Sequence, residues 1–553
     1  MAESAWWQKA VVYQIYPKSF QDTTGNGMGD IQGIISRLDY IEKLGVDVIW
    51  LTPIYQSPQN DNGYDISDYY TIDPAYGTMK DFEQLLKETH TRGMKLIMDL
   101  VINHTSTSHK WFQQAKSSKE NPFRDFYIWK DPVGDAKPSN WKSKFGGSAW
   151  ELDENTGQYY LHLFDTSQAD LNWENEEMKT KLVDMMGYWA EKGIDGFRLD
   201  VINLISKDQS FPDDDIGDGR RFYTDGPKVH KYLHEMNQRV FSKYNMLTVG
   251  EMSSTSLEEC IRYTRPERQE LTMTFQFHHL KVDYPGGQKW TKAPFDFLEL
   301  KRILSEWQVG MHEGNGWNAL FWCNHDQPRV VSRFGDDKTY WKESAKMLAS
   351  TLHMMQGTPY IYQGEEIGIT NPYFENIDEY RDVESLNAFQ EMKEDGKSLS
   401  DIMEILQHKS RDNGRTPMQW SADKHADFTT GEPWIKPVSN YSTINVNSAL
   451  KDSESIFYHY QKLIKLRKKY DIITYGDYQL LLKDHPSVFA YERKWMNEKI
   501  VVVSNFYEES VTVRLPIDEG DKVKVLISNY KDVKDSLSEL HLRPYESIVY
   551  FIN

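Results

Sequence analysis

Cysteine is nearly absent: Cys260 and Cys323 are the only two in 553 residues. That excludes a disulfide framework and suits a reducing compartment. No apolar run approaches the roughly 18 residues a membrane helix needs. The first residues, Met1-Ala2-Glu3-Ser4-Ala5-Trp6-Trp7, lack the basic stretch and apolar core of a secretory signal. A cytoplasmic protein with no membrane partner is therefore expected. Basic charge is also short, 64 Lys and Arg against 83 Asp and Glu for a net −19. Such a balance disfavours nucleic acid and repels small anions unless a local basic cluster receives them. Internal repeats, low-complexity tracts and a GxGxxG turn are missing too. What is plentiful is aromatic: 17 Trp, 33 Tyr and 24 Phe, enough to fill a large core and to offer rings to sugar faces.

Eight strand-like runs follow one another at 11–17, 46–54, 95–102, 196–200, 247–252, 271–277, 319–326 and 358–365. Amphipathic helical stretches separate most of them, at 31–44, 79–92, 177–192, 227–244, 295–308 and 342–356. The alternation predicts an α/β fold, a (β/α)8 TIM barrel with its site at the C-terminal strand ends. The alternative, a doubly wound open sheet, lacks its glycine fingerprint. The barrel is expected over 1–103 and 173–477, with a subdomain at about 367–455. Residues 104–172 are too long for a plain loop and read as an inserted small domain roofing the cleft. Short alternating runs at 487–493, 499–506, 510–515, 522–527 and 546–551 predict a C-terminal antiparallel β-sandwich over 478–553.

Asp99, His104, Arg198, Asp200, Glu251, His325 and Asp326 all fall at or just past strand ends three, four, five and seven. Each alone suits a helix cap or a satisfied core contact. Together on one rim, three carboxylates point to glycosidic bond cleavage. Arg198 shares a strand face with Asp200, so its guanidinium should hold that carboxylate ionised as a nucleophile. Glu251 has no basic neighbour in sequence and, flanked by Val249 and Met252, should be desolvated and protonated as the general acid. Asp326 is left to steady positive charge on the sugar.

The segments Asp99-Leu100-Val101-Ile102-Asn103-His104, Gly196-Phe197-Arg198-Leu199-Asp200, Gly250-Glu251 and Asn324-His325-Asp326 resemble the four signature regions of the α-amylase family of glycoside hydrolases. The resemblance covers the whole chain. It implies a retaining double displacement without a catalytic cofactor: Asp200 as nucleophile, Glu251 as general acid/base and Asp326 as transition-state stabiliser. His104, Arg198 and His325 would contact the glucosyl unit. Gln168-Ala169-Asp170-Leu171-Asn172-Trp173, Asp61-Asn62-Gly63-Tyr64-Asp65 and residues 411–420 are similar to the oligo-1,6-glucosidase group. Asp61 and Arg415 would then clamp the terminal glucose, with Tyr64 stacked beneath it. An amylase-like accessory subunit is the non-enzymatic alternative, disfavoured because all three acids are kept.

After the sixth strand, His278, His279, Lys281 and Lys289 gather at the barrel mouth of an otherwise acidic chain. On charge alone this is either a solvated loop or an anion site. The run 278–284 resembles the phospho-α-(1,1)-glucosidases of bacterial sugar uptake, which implies trehalose 6-phosphate as substrate, and glucose with glucose 6-phosphate as products. Lys281 and Lys289, helped by His279, are the expected phosphate ligands. Oligo-1,6-glucosidase or sucrose-type transglucosidase activity is the alternative, and a monomer is expected. The segment 22–30 reads either as a structural Ca2+ loop, through Asp22, Thr24, Asn26, Met28 and Asp30, or as a metal-free turn.

Overall fold

A computed structural model describes residues 5–515, 523–533 and 539–552. Its centre is eight parallel strands: β1 (Val12–Ile15), β2 (Val48–Leu51), β3 (Lys95–Leu100), β4 (Gly196–Leu199), β5 (Leu247–Glu251), β6 (Met273–Phe275), β7 (Ala319–Leu320) and β8 (Thr358–Tyr362). They neighbour one another in the order 6-5-4-3-2-1-8-7. A parallel bridge between Thr274 and Asn318 joins the two ends of that row and closes the barrel. Strands such as Val48-Ile49-Trp50-Leu51 are buried at every residue, because helices cover the outer face while side chains fill the interior.

The helical ring follows the sequence pattern with local departures. Met79–Thr91 begins in a reciprocal capping box between Thr78 and Asp81. The 31–44 stretch divides into Ile31–Ser36 and Leu38–Leu44. At the break, Arg37 stacks on Trp420 and donates to Gln21. The 227–244 stretch is Val229–Met236 running into a π-turn, Asn237–Phe241. Leu257–Thr264, unforeseen, is capped by Ser256 and buries Cys260. Within 367–455, Val383–Glu394 and Leu399–Lys409 pack around Phe389, Ile402 and Leu406 as a separate apolar cluster.

The excursion after β3 carries a three-stranded antiparallel sheet, Trp129–Lys130, Gln158–Leu161 and Trp150–Asp153. Its two ends are zipped together at the barrel rim, where His104 pairs with Asp170 and Ser106 with Gln168. The last part of the chain is an antiparallel sheet of β9 (Asp477–Leu481), β10 (Val488–Trp495), β11 (Glu498–Asn505), β12 (Val523–Ser528) and β13 (Ser547–Ile552), ordered 9-10-11-13-12. A second pair, Val511–Val513 with Leu540–Leu542, lies beside it. Lys522, the expected first residue of β12, lies outside the described residues. The strands at 477–481 and 540–542 were not foreseen.

Candidate active site

Arg198 organises the floor of the cleft. Registers pair it with Asp99 on β3 and Val249 on β5. Its Nη1 lies 2.7 Å from Asp99 Oδ1 and 2.7 Å from Asp200 Oδ1, and its Nη2 lies 2.7 Å from Glu251 Oε2. The guanidinium is 1% exposed, so one cation serves three carboxylates out of bulk water. This corrects two expectations: Glu251 has a basic partner after all, and Arg198 does not belong to Asp200 alone. Burial pushes Asp200 well above the usual carboxylate range, with Glu251 and Asp99 adding to it and Arg198 opposing. Asp200 and Glu251 thus meet at opposite nitrogens of one guanidinium. Val201, held at a positive φ of 37°, donates its N–H to Glu251 Oε2 at 3.1 Å.

Opposite stands a second group built on arginines. Arg415 Nη2 lies 2.6 Å from Asp326 Oδ1, and Arg411 Nη1 lies 3.4 Å from the same oxygen. Burial would raise Asp326, yet Arg411 and Arg415 hold it well below the ordinary range. Asp61, expected with Arg415 at the terminal glucose, is itself paired with Arg411 at 3.0 Å. One turn of the short helix Asp412–Arg415 separates the two arginines, and the chain fold aims the earlier one at Asp61. Burial raises Asp61 to about 7 despite both guanidinia. Gln168, from the end of the insertion, donates to Asp61 Oδ2 at 3.0 Å.

Histidines and one tyrosine complete the pocket. Tyr64 lies flat on His325, ring centres 5.2 Å apart and 3° from parallel, and donates its hydroxyl to Asp99 Oδ2 at 2.9 Å. Gln14 contacts His325 Nδ1 at 2.8 Å, leaving Nε2 toward Asp326 at 3.4 Å. Burial lowers His325 to about 3 and His104 to about 4, so both rings are neutral. The enclosed space is about 200 Å3, lined by Asp61, Tyr64, Asp200, Glu251, Asp326 and Arg411 among others. A wider groove of about 810 Å3 lies between the insertion and helix Val383–Glu394, but it gathers none of these groups.

Sequence reasoning missed Asp382, a fully buried carboxylate that Arg411 reaches at 2.5 Å and Arg415 at 3.4 Å. It caps the helix Val383–Glu394, accepting from the N–H and hydroxyl of Ser385, and lies on no strand end. Asp99 carried a signal, its place one register from Arg198, that was not turned into a role.

The expected phosphate ligands are separated. His279 is buried, with Nδ1 against Gln276 and Nε2 against Phe321 O, both at 2.8 Å. Neither nitrogen is free for an anion. Lys289 lines the pocket, but its ammonium is matched by both oxygens of Glu384 at 2.7 and 2.6 Å. Lys281 is exposed and makes no side-chain bond. In the 22–30 loop, Asp22 accepts from the N–H groups of Thr24, Gly25 and Gly27 at 2.8 to 2.9 Å. Asn26 Oδ1 accepts from Met28, and Asp30 from Thr23 and Gly33. Among the described residues no three His, Cys, Asp or Glu gather as a metal-holding group.

Residues 14–476 match the family model for the α-amylase catalytic domain, and residues 488–549 match that for the α-amylase SusG C-terminal domain. The chain is 64% identical over 552 residues to a trehalose-6-phosphate hydrolase of Bacillus subtilis, covering 99% of this chain and 98% of that one. It is 56% identical over 543 residues to the Escherichia coli trehalose-6-phosphate hydrolase, covering 98% of each. The crystal structure of Bacillus licheniformis trehalose-6-phosphate hydrolase superposes with a TM-score of 0.96 at 65% identity, over 99% of this chain and all of that one. With the catalytic model spanning most of its length, this chain belongs to the α-amylase family of glycoside hydrolases.

Proposed function

We propose that this enzyme hydrolyses trehalose 6-phosphate to glucose and glucose 6-phosphate by retaining double displacement. The observation that carries the reading is a glucose-sized pocket that Asp200 and Glu251 line together with Lys144 and Lys289, in a chain of net charge −19. The 64% and 56% identities to trehalose-6-phosphate hydrolases support it.

In this reading, Asp61, Arg411 and His104 grip the non-reducing glucose, and Tyr64 lies under its ring. Glu251 protonates the glycosidic oxygen while Asp200 attacks the anomeric carbon. The glucosyl ester forms as the phosphorylated glucose leaves. Two carboxyls held by one guanidinium fit the roughly 5 Å spacing of retaining enzymes better than the wider gap that admits a water for inversion. Arg198 limits charge repulsion between the pair, since each carboxylate keeps a guanidinium nitrogen whichever one is ionised. Asp326, held ionised by Arg415 and Arg411, faces the positive charge that grows on the flattened ring. Water then enters on the vacated side, activated by Glu251.

Because its carboxylates already receive backbone donors, the 22–30 loop is read as a metal-free turn. A monomer in a reducing cytoplasm fits the two buried free cysteines. No helix among the described residues is long and apolar enough to cross a membrane.

The test compares kcat/KM for trehalose 6-phosphate, trehalose and isomaltose. A preference of at least a hundredfold for the phosphorylated sugar is expected. Equal or better turnover of isomaltose would mean an oligo-1,6-glucosidase.

A further inference from the structure

Lys144 was not singled out by its sequence, yet it lines the same pocket as Asp200 and Glu251. It rises from the inserted domain on a loop fixed from two sides. Its own N–H donates to Leu163 O at 2.8 Å, and Asn387 of helix Val383–Glu394 donates to the neighbouring Phe145 O at 2.9 Å. Gly146 packs directly against Glu391 of that helix. The side-chain ammonium makes one hydrogen bond, to Ser253 Oγ at 3.3 Å, two residues beyond the acid Glu251. It has no carboxylate partner among the described residues, unlike Lys289, which Glu384 neutralises.

Lys281 is a second cation without a counter-ion, near enough to Lys144 for the two charges to repel, as is Arg220, itself paired with Asp218. Tyr223 lies beneath the Lys144 amine, 5.5 Å from it. Burial, Arg220 and Lys281 together lower Lys144 to about 8. Two like charges without an ion-pair partner, Lys144 and Lys281, are costly beside a cleft unless a ligand supplies the missing anion. The side matters as well. Glu251 delivers its proton to the bridging oxygen, and the bond to Ser253 holds the Lys144 ammonium on the segment that follows this acid, the end that meets the departing sugar in the proposed reaction.

We infer that Lys144 of the inserted domain, with Lys281, forms the binding site for the phosphate on the leaving sugar and sets the preference for phosphorylated substrates. The inference rests on the proposed reaction and moves its phosphate determinant from Lys289 and His279 to the roof of the cleft. The phosphate would take the ammonium protons that no protein oxygen now fills, in charge-assisted hydrogen bonds.

The test is the preference ratio, kcat/KM for trehalose 6-phosphate over kcat/KM for trehalose, in wild type, Lys144→Met, Lys144→Arg and Lys281→Met. Lys144→Met is expected to cut the ratio at least thirtyfold, chiefly through KM for the phosphorylated sugar, and to weaken inhibition by glucose 6-phosphate more than inhibition by glucose. Lys144→Arg should restore the ratio to within about fivefold of wild type, and Lys281→Met should lower it about tenfold. A Lys144→Met ratio within twofold of wild type overturns the inference, as does an equal fall on both substrates. Should the Met variant misfold, the same limits apply to Lys144→Gln. A wild-type ratio near one would overturn the proposed reaction itself, which the variants do not decide.

Discussion

The Nη2 atom of Arg198 lies 2.7 Å from Oε2 of Glu251, the carboxyl expected to stand apart from any base. The proposed nucleophile and acid are therefore not set in separate surroundings: both carboxylates bind one cation, Asp200 at Nη1 and Glu251 at Nη2. Removing Arg198 would strand three buried carboxylates, Asp99 included, where breaking a single buried pair costs about 3–5 kcal/mol.

Chemical rescue distinguishes the two carboxylates. Asp200→Ala and Glu251→Ala are each expected to lose at least a thousandfold in kcat on p-nitrophenyl α-glucoside. Added azide should give β-glucosyl azide with the first variant and α-glucosyl azide with the second, identified by NMR. The same anomer from both would refute the assignment.

Asp382 joins the arginine pair behind the glucose pocket, and Asp382→Ala leaves Arg411 and Arg415 partly unmatched. A stability loss of about 3–5 kcal/mol is expected, read by denaturant unfolding. KM should rise on every glucoside alike, since the change bears on Asp61 and Asp326 and not on the leaving group. An effect confined to phosphorylated substrate would contradict the placement.

The preference ratio should fall as pH rises from 7 to 9. Lys144, lowered to about 8 by burial and by Arg220 and Lys281, loses its charge over that range, whereas Glu251 serves both substrates equally. In Lys144→Arg the ratio should stay level across the same interval. A wild-type ratio independent of pH would assign the alkaline fall to the acid/base pair.

Stability should decline between about pH 4 and 8. Burial raises Glu365 to about 8 and Asp61 to about 7. Their folded-state pKa values exceed the unfolded ones, so the stabilisation is full below the unfolded values, falls progressively above them and is gone once pH passes the folded values. Each such proton contributes a slope of about 1.4 kcal/mol per pH unit. In Glu365→Gln, thermal unfolding should change less with pH than in wild type. An identical pH dependence would exclude Glu365 as its source.

Chelation should leave the melting temperature unchanged to within about a degree, because backbone N–H groups already fill the Asp22 oxygens. A drop of several degrees in EDTA, reversed by Ca2+, would show the loop to be a metal site.

Much of this site was legible because strand periodicity is local. Arg198 and Asp200 sit two residues apart, and the runs that carry Asp99, Glu251 and Asp326 end where barrel strands end. Contacts made by loops were not. That Arg411 meets Asp61 depends on a short helix tied to Tyr362 and to the loop at His325, and Asp382 caps the helix Val383–Glu394 inside a long excursion where no strand end points to it. His279 misled because a histidine beside lysines looks basic, while its burial between Gln276 and Phe321 is a property of the folded barrel alone. Lys144 stayed hidden among polar and glycine-rich residues whose sheet pairing no short-range pattern announces.

His104 and Asp170, paired at the base of the insertion, make the glucose grip and the roof's foundation one structure. The roof is thus a fixed awning, not a swinging door. The tip that carries Lys144 stands far along the chain from that seam, so its lettering can change while the seam and the chemistry below stay put. Taste for a leaving group and the power to cut the bond are thereby separately inheritable within one polypeptide.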